Sequence, residues 1–184
     1  MKNFLQIPGF VDTAPLLLAL QQHPELWNAN SGRRDDLSPH VDTSDIWLRY
    51  NALENLGDDY KAYTGEHDSV WLPAFKDLPQ FRPVIFSLMA RCEAVRLGGV
   101  LITKIPAGKS VKPHADTGWH PTYYNVKLYV PLQTNSQCVN RVEDERVAMA
   151  AGDIWYFDNT VEHEVVNGGE RDRITLIICL KVDK

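Results

Sequence analysis

Between Pro79 and Gly98 the apolar residues Phe81, Ile85, Leu88, Cys92 and Val95 recur at steps of three and four, the spacing that lines one face of an α-helix. Gly98-Gly99 supply a stop, so a helix is predicted here, with Arg82, Arg91 and Arg96 on its solvated face. Upstream, Asp12 or Thr13 is placed to cap a short helix that has Pro15 in its first turn and ends before Pro24. Residues 29–45, NANSGRRDDLSPHVDTS, are dense in turn formers and predict a loop. Ile46–Tyr50 reads as a strand.

From Gly99 onward the pattern changes to short runs rich in Val, Ile, Thr and Tyr, broken by turn signals, at 100–105, 111–116, 123–132, 138–148, 153–157, 162–166 and 173–182. Many short strands favour a sandwich, jelly roll or barrel over alternating βαβ units. The predicted fold is therefore mainly β with flanking N-terminal helices, its core a double-stranded β-helix (a cupin-like jelly roll). Trp155 and Phe157 alternate with Tyr156 and are expected to pack the interior.

The 184 residues suit one domain, with residues 1–97 as a helical and loop support and 98–184 as the β core. Hydrophobic residues at 44% and charged residues at 23% are those of a folding globular chain. The net charge of -5 lacks the basic excess of a phosphate-binding protein and argues against nucleic acid as a partner. The run Leu16 to Leu20 is too short for a signal core or membrane span, so a cytoplasmic protein is expected. Cys92, Cys138 and Cys179 show no CxxC spacing and are expected as reduced thiols. No heptad pattern or long apolar patch points to a partner surface, and the oligomeric state is left open.

Within the β region, His114 and Asp116 stand two apart in a predicted strand and so point to one face. They can offer a nitrogen and an oxygen to one ion. His163 lies in a later strand that could lie across a barrel. Two His and one carboxylate on one face leave three open positions, the arrangement of Fe(II) oxygenases. Ten residues beyond His163 come Arg173 and Thr175, which share a strand face and can together hold a carboxylate. An echo, Pro39-His40-Val41-Asp42-Thr43, repeats the spacing of Pro113 to Thr117. It has no comparable Arg-x-Thr partner, so a surface or lid role is predicted for His40 and Asp42.

The segments PHADTGWHPTYYNVKLYVPLQ and AGDIWYFDNTVEHEVVNGGERDRITLIICL, with the spacing between them, resemble the aspartyl/asparaginyl β-hydroxylase branch of the 2-oxoglutarate and Fe(II) dependent dioxygenases over roughly residues 98–182. The resemblance implies that His114, Asp116 and His163 bind iron. It implies that Arg173, helped by Thr175, binds the distal carboxylate of 2-oxoglutarate. Dioxygen would be the further co-substrate, and succinate and carbon dioxide the co-products of hydroxylating a C–H bond. Asp116 departs from animal members of the branch, which lack the carboxylate ligand, and from halogenating relatives, which have a small residue there.

Asn125 and Lys127 alternate on the following strand and are candidates for contact with the co-substrate. Trp119, His120 and Tyr123 follow the ligand pair in a loop, and Arg49 lies in the segment before the barrel; these are candidates for substrate contact. The expected substrate is a small molecule or a peptide or protein side chain. Rival readings are a cupin-like metal enzyme without 2-oxoglutarate, such as an isomerase or cysteine-type dioxygenase, and a non-catalytic β-barrel that binds a metabolite. Arg173-x-Thr175 argues against the first rival, and a facial triad with open positions against the second.

Overall fold

The computed structural model describes residues 1–30, 38–57 and 60–183; residues 31–37 of the predicted loop over 29–45 lie outside the described residues. In chain order the elements are β1 (Phe4–Ile7), α1 (Ala14–Gln22), β2 (Ser44–Tyr50), α2 (Tyr60–Tyr63), β3 (Val70–Trp71), α3 (Ala74–Asp77), α4 (Phe81–Arg91), β4 (Arg96–Ile105), β5 (Ser110–His114), α5 (Trp119–Tyr123), β6 (Val126–Gln133), β7 (Cys138–Val142), β8 (Glu145–Val147), β9 (Ile154–Phe157), β10 (His163–Asn167) and β11 (Arg173–Lys181). The chain is mainly β. All strand pairings described are antiparallel. They form a seven-stranded sheet of order β1-β9-β6-β11-β4-β2-β3 and a four-stranded sheet of order β5-β10-β7-β8. Each run predicted after Gly99 contains a strand, and the run over 138–148 is the β7–β8 hairpin.

The two faces of the larger sheet follow from side-chain alternation. Ile174, Leu176, Ile178 and Leu180 of β11, with Leu128, Val130 and Leu132 of β6, face a core shared with Leu16 and Leu20 of α1 and Phe81, Ile85 and Leu88 of α4. Burying each such side chain contributes about 1.5–3 kcal/mol. The intervening residues Arg173, Thr175, Ile177, Lys127 and Tyr129 line cavities on the other face, beside His114 and His163 of the smaller sheet. One face holds the fold together and the other lines the cavities.

The sequence predicts residues 1–97 as helix and loop apart from one strand, yet β1, β2 and β3 all join the larger sheet, β1 against β9 and β2 against β4. The predicted helix end also differs. Phe81, Ile85 and Leu88 form the buried stripe, but α4 stops at Arg91 and the chain reverses at Glu93, whose φ is +51°, leaving Val95 exposed. Gly98 and Gly99 are not a helix stop; they lie within β4. Glycine is needed there because aromatic rings rest on the backbone: a Cβ on Gly98 would sit 2.7 Å from the Tyr124 ring. No helix among the described residues is long and apolar enough to cross a membrane.

Candidate metal centre

His114 ends β5 and His163 begins β10, and the two are directly opposite in the ladder, with ring centroids 4.3 Å apart. Each ring is oriented by a neighbouring carbonyl: His114 Nδ1 lies 2.8 Å from Lys112 O and His163 Nδ1 2.9 Å from Val161 O. A carbonyl only accepts, so Nδ1 carries the proton in both rings and each Nε2 lone pair is left for a metal. Asp116 lies just past the end of β5, where its backbone N–H donates to Asn159 O at 2.8 Å. Its Oδ1 is 3.4 Å from His114 Nε2. One ligand atom from each of His114, Asp116 and His163 fits within a 4.8 Å span.

The protonation of these groups suits a cation. Burial would raise the Asp116 carboxyl, but the Lys127 ammonium, by its charge and by its hydrogen bond, overcomes it and holds the group well below the usual carboxylate range. Burial pushes His163 down to about 4, against the opposing pull of Val161 O and Asp116. An ionised carboxylate and two imidazole nitrogens form a set that fits Fe(II), with the hard and borderline donors that such sites use.

Next to the triad, Arg173 is 4% exposed and Thr175 2%. Arg173 Nη2 donates to Asn140 Oδ1 at 3.0 Å, while Arg173 Nε and Thr175 Oγ1 are buried with no hydrogen-bond partner among the described residues. Among the described residues no carboxylate pairs with this guanidinium. A buried cation without an anion costs several kcal/mol, so the pair fits the carboxylate that the sequence resemblance assigns to it. Both residues, with His114 and His163, line a narrow cavity of about 40 Å³. It adjoins one of about 530 Å³ through His40 and Lys127, which line both.

The larger cavity carries Trp47, Tyr50, Trp119, His120 and Asp116 on its walls. Burial, reinforced by Lys127 and His67, pushes His120 down to about 3. Its Nε2 accepts a long bond, 3.4 Å, from the Gly99 N–H. His120 and His163 are thus neutral in the folded protein and ordinary, near 6.5, when unfolded. The unfolded state takes up these protons first, so stability is full above pH about 6.5 and falls as pH drops from there, towards about 4 for His163 and about 3 for His120. Urea titrations of the metal-free protein are expected to give a lower midpoint at pH 5 than at pH 7. His120→Asn is expected to narrow that gap, and an unchanged gap would remove His120 as a source.

Three expected contacts are corrected. Asn125 precedes β6, so strand alternation does not apply to it; its amide is tied to the backbone of Val182, with bonds of 2.9 Å in both directions. Arg49 is turned away by a bulge between Trp47 and Arg49. Its guanidinium lies over the Trp71 ring and its Nε donates to Leu97 O, while the bulge brings Tyr50 to the cavity with Trp47. Tyr123 stacks on Trp119 but lines a separate cavity with Glu66 and Arg96. Lys127 does reach the site, where its Nζ donates to Asp116 Oδ2 at 2.6 Å.

The echo motif divides in two. His40 stands at the cavities with its ring 4.9 Å from that of His114, and Asp42 points to Lys109 Nζ at 3.4 Å. His114, Asp116 and His163 are the metal-competent group found among the described residues. The sequence reading missed Trp47, Tyr50, Asn140 and Asn159 as parts of the site.

The sequence pattern of the family described as Aspartyl/Asparaginyl beta-hydroxylase matches residues 61–182. An L-proline cis-4-hydroxylase from Rhizobium meliloti (strain 1021) is 29% identical over 107 residues, 58% of this chain and 36% of that protein. The match thus spans about a third of the length of this curated relative. Among solved structures, an oxidoreductase of the 2OG-Fe(II) oxygenase family from Burkholderia pseudomallei superposes with a TM-score of 0.59 at 14% identity, covering 98% of this chain and 84% of the other. A Pseudomonas putida prolyl-4-hydroxylase does so with a TM-score of 0.53 at 15% identity, covering 99% and 94%. At these identities the likeness is one of fold.

Proposed function

This chain belongs to the aspartyl/asparaginyl beta-hydroxylase family, and from that premise we propose that it is an Fe(II)- and 2-oxoglutarate-dependent dioxygenase that hydroxylates a C–H bond of an amino acid or of a peptide or protein side chain. The observation that carries the proposal is the pairing of a metal-competent triad with a buried Arg173 whose Nε has no hydrogen-bond partner among the described residues. The reading takes residues 1–184 as one dioxygenase domain and its two facing antiparallel sheets as a double-stranded β-helix. The reading also takes Cys92, Cys138 and Cys179 as thiols in a reducing, cytoplasmic setting.

In this reading His114, Asp116 and His163 hold Fe(II), and Arg173 with Thr175 holds the distal carboxylate of 2-oxoglutarate. Bound there, the metal with 2-oxoglutarate and dioxygen supplies the oxidising chemistry that adds one oxygen to a C–H bond, with succinate and carbon dioxide as co-products. The protein's part is placement. Lys112 O and Val161 O fix the imidazoles, and Trp47, Tyr50 and Trp119 present apolar surface to the substrate while His120 presents an uncharged ring. A rival metal enzyme without 2-oxoglutarate has no use for the buried cation.

The relative named as a proline hydroxylase makes free L-proline one arm of the test. Incubation of the Fe(II)-loaded protein with 2-oxoglutarate and a panel of free amino acids and peptides, read by mass spectrometry, is expected to show one substrate gaining one oxygen with stoichiometric succinate. Succinate formation with no oxygenated product across free amino acids, peptides and proteins would contradict the substrate class. Absence of succinate under every condition would contradict the reaction class.

A further inference from the structure

Asn159 lies in the turn between β9 and β10 and is 8% exposed. It meets Asp116 twice. Its carbonyl accepts the Asp116 N–H at 2.8 Å, and its Nδ2 donates to Asp116 Oδ2 at 2.6 Å. Lys127 Nζ donates to the same oxygen, also at 2.6 Å. Oδ2 therefore receives two charge-assisted bonds, one from β6 and one from the β9–β10 turn. Oδ1 faces the imidazoles, 3.4 Å from His114 Nε2.

This arrangement matters because Asp116 is beyond the last residue of β5, and the carboxylate torsion of aspartate has a broad, nearly two-fold profile. Left to itself, the group could turn either oxygen, or both, towards an ion. Lys127 alone is a weak guide, since a point charge on a flexible stem attracts without fixing an angle. The Asn159 side chain is short, and its backbone is bonded to that of the very residue it steadies. Resting on the metal-site reading above, we propose that Asn159 is a positioning residue that holds Asp116 as a one-oxygen ligand, leaving the remaining positions at the metal open. A carboxylate that chelated through both oxygens would fill one of the positions that the co-substrate and dioxygen need.

The test is titration of the purified apoprotein with Co(II), following affinity and the visible absorption of the bound ion. Asn159→Ala is expected to weaken binding about ten- to a hundredfold, the usual cost of losing a partner of a metal ligand, and to change the absorption spectrum. The same substitution made in an Asp116→Ala background is expected to change affinity by no more than about twofold, since its partner is already gone. A purely structural role for Asn159 predicts equal losses in both backgrounds. Should Asn159→Ala not fold, Asn159→Ser takes its place in the same cycle, with the same contrast between backgrounds expected. Wild-type binding that is lost in His114→Ala but kept, with an unaltered spectrum, in a folded Asn159 variant would overturn the role of Asn159 alone, as would equal losses in both backgrounds. No Co(II) binding by wild type, or undiminished binding by His114→Ala, would overturn the metal site and this role with it.

Discussion

Asp116→Ala is expected to lose Fe(II) binding by at least about a hundredfold and to bring succinate formation down to background. The carboxylate is the only anionic member of the triad, and a divalent ion left with two neutral imidazoles loses both a bond and the charge that offsets its own. The change has a second cost. Lys127 is partly buried, its Nζ 2.6 Å from Asp116 Oδ2, so removing the carboxylate strands an ammonium, at up to about 3 kcal/mol of stability. The two effects separate in a double variant. Asp116→Ala with Lys127→Met is expected to recover much of the thermal stability and none of the turnover, as melting curves and succinate release would show. A stable double variant that still made succinate would remove Asp116 from the chemistry.

Arg173→Leu should act on 2-oxoglutarate and leave the metal in place. Arg173 is 4% exposed and its Nε and the Thr175 Oγ1 await a partner, so the variant is expected to raise the KM for 2-oxoglutarate about thirtyfold or more. That corresponds to the roughly 2–5 kcal/mol of a buried hydrogen-bonded charge pair that has lost one partner. Metal affinity is expected to stay within about twofold, since Arg173 is not a ligand. The ligand-free variant is expected to melt higher than wild type, because burial without an anion already pushes the Arg173 guanidinium down and leucine removes that uncompensated charge. A KM unchanged from wild type would show that the distal carboxylate is held elsewhere.

Much of the β core was legible because it follows two simple periods. Strand alternation places Arg173 and Thr175 on one face of β11 and their neighbours Ile174 and Leu176 in the helix-covered core. The residues of the triad could be picked out from His114-x-Asp116 and the ten-residue step from His163 to Arg173. What escaped the sequence lies where local geometry breaks period two. The bulge in β2 exchanges the places that alternation assigns to Arg49 and Tyr50. Asn125 stands one residue before β6 begins, so its likeness to Lys127 in spacing carries no likeness in direction. Gly98-Gly99 looks like a helix stop in one dimension and is a landing place for the Tyr124 and His120 rings in three. Asn159 reads as an ordinary turn residue until the β9–β10 turn is seen lying against Asp116. Long-range pairing, such as β1 against β9, leaves no mark on a four-residue segment.

On the proposed reading, His114, Asp116 and His163 hold one Fe(II) beside an Arg173-bound 2-oxoglutarate. This is tested most directly by Fe(II)-dependent succinate release from 2-oxoglutarate by the wild-type chain and by His163→Ala at matched folded concentrations. Succinate that requires both added Fe(II) and an intact His163 is the predicted result; release that persists undiminished in His163→Ala, or in wild type stripped of metal by a chelator, would contradict it.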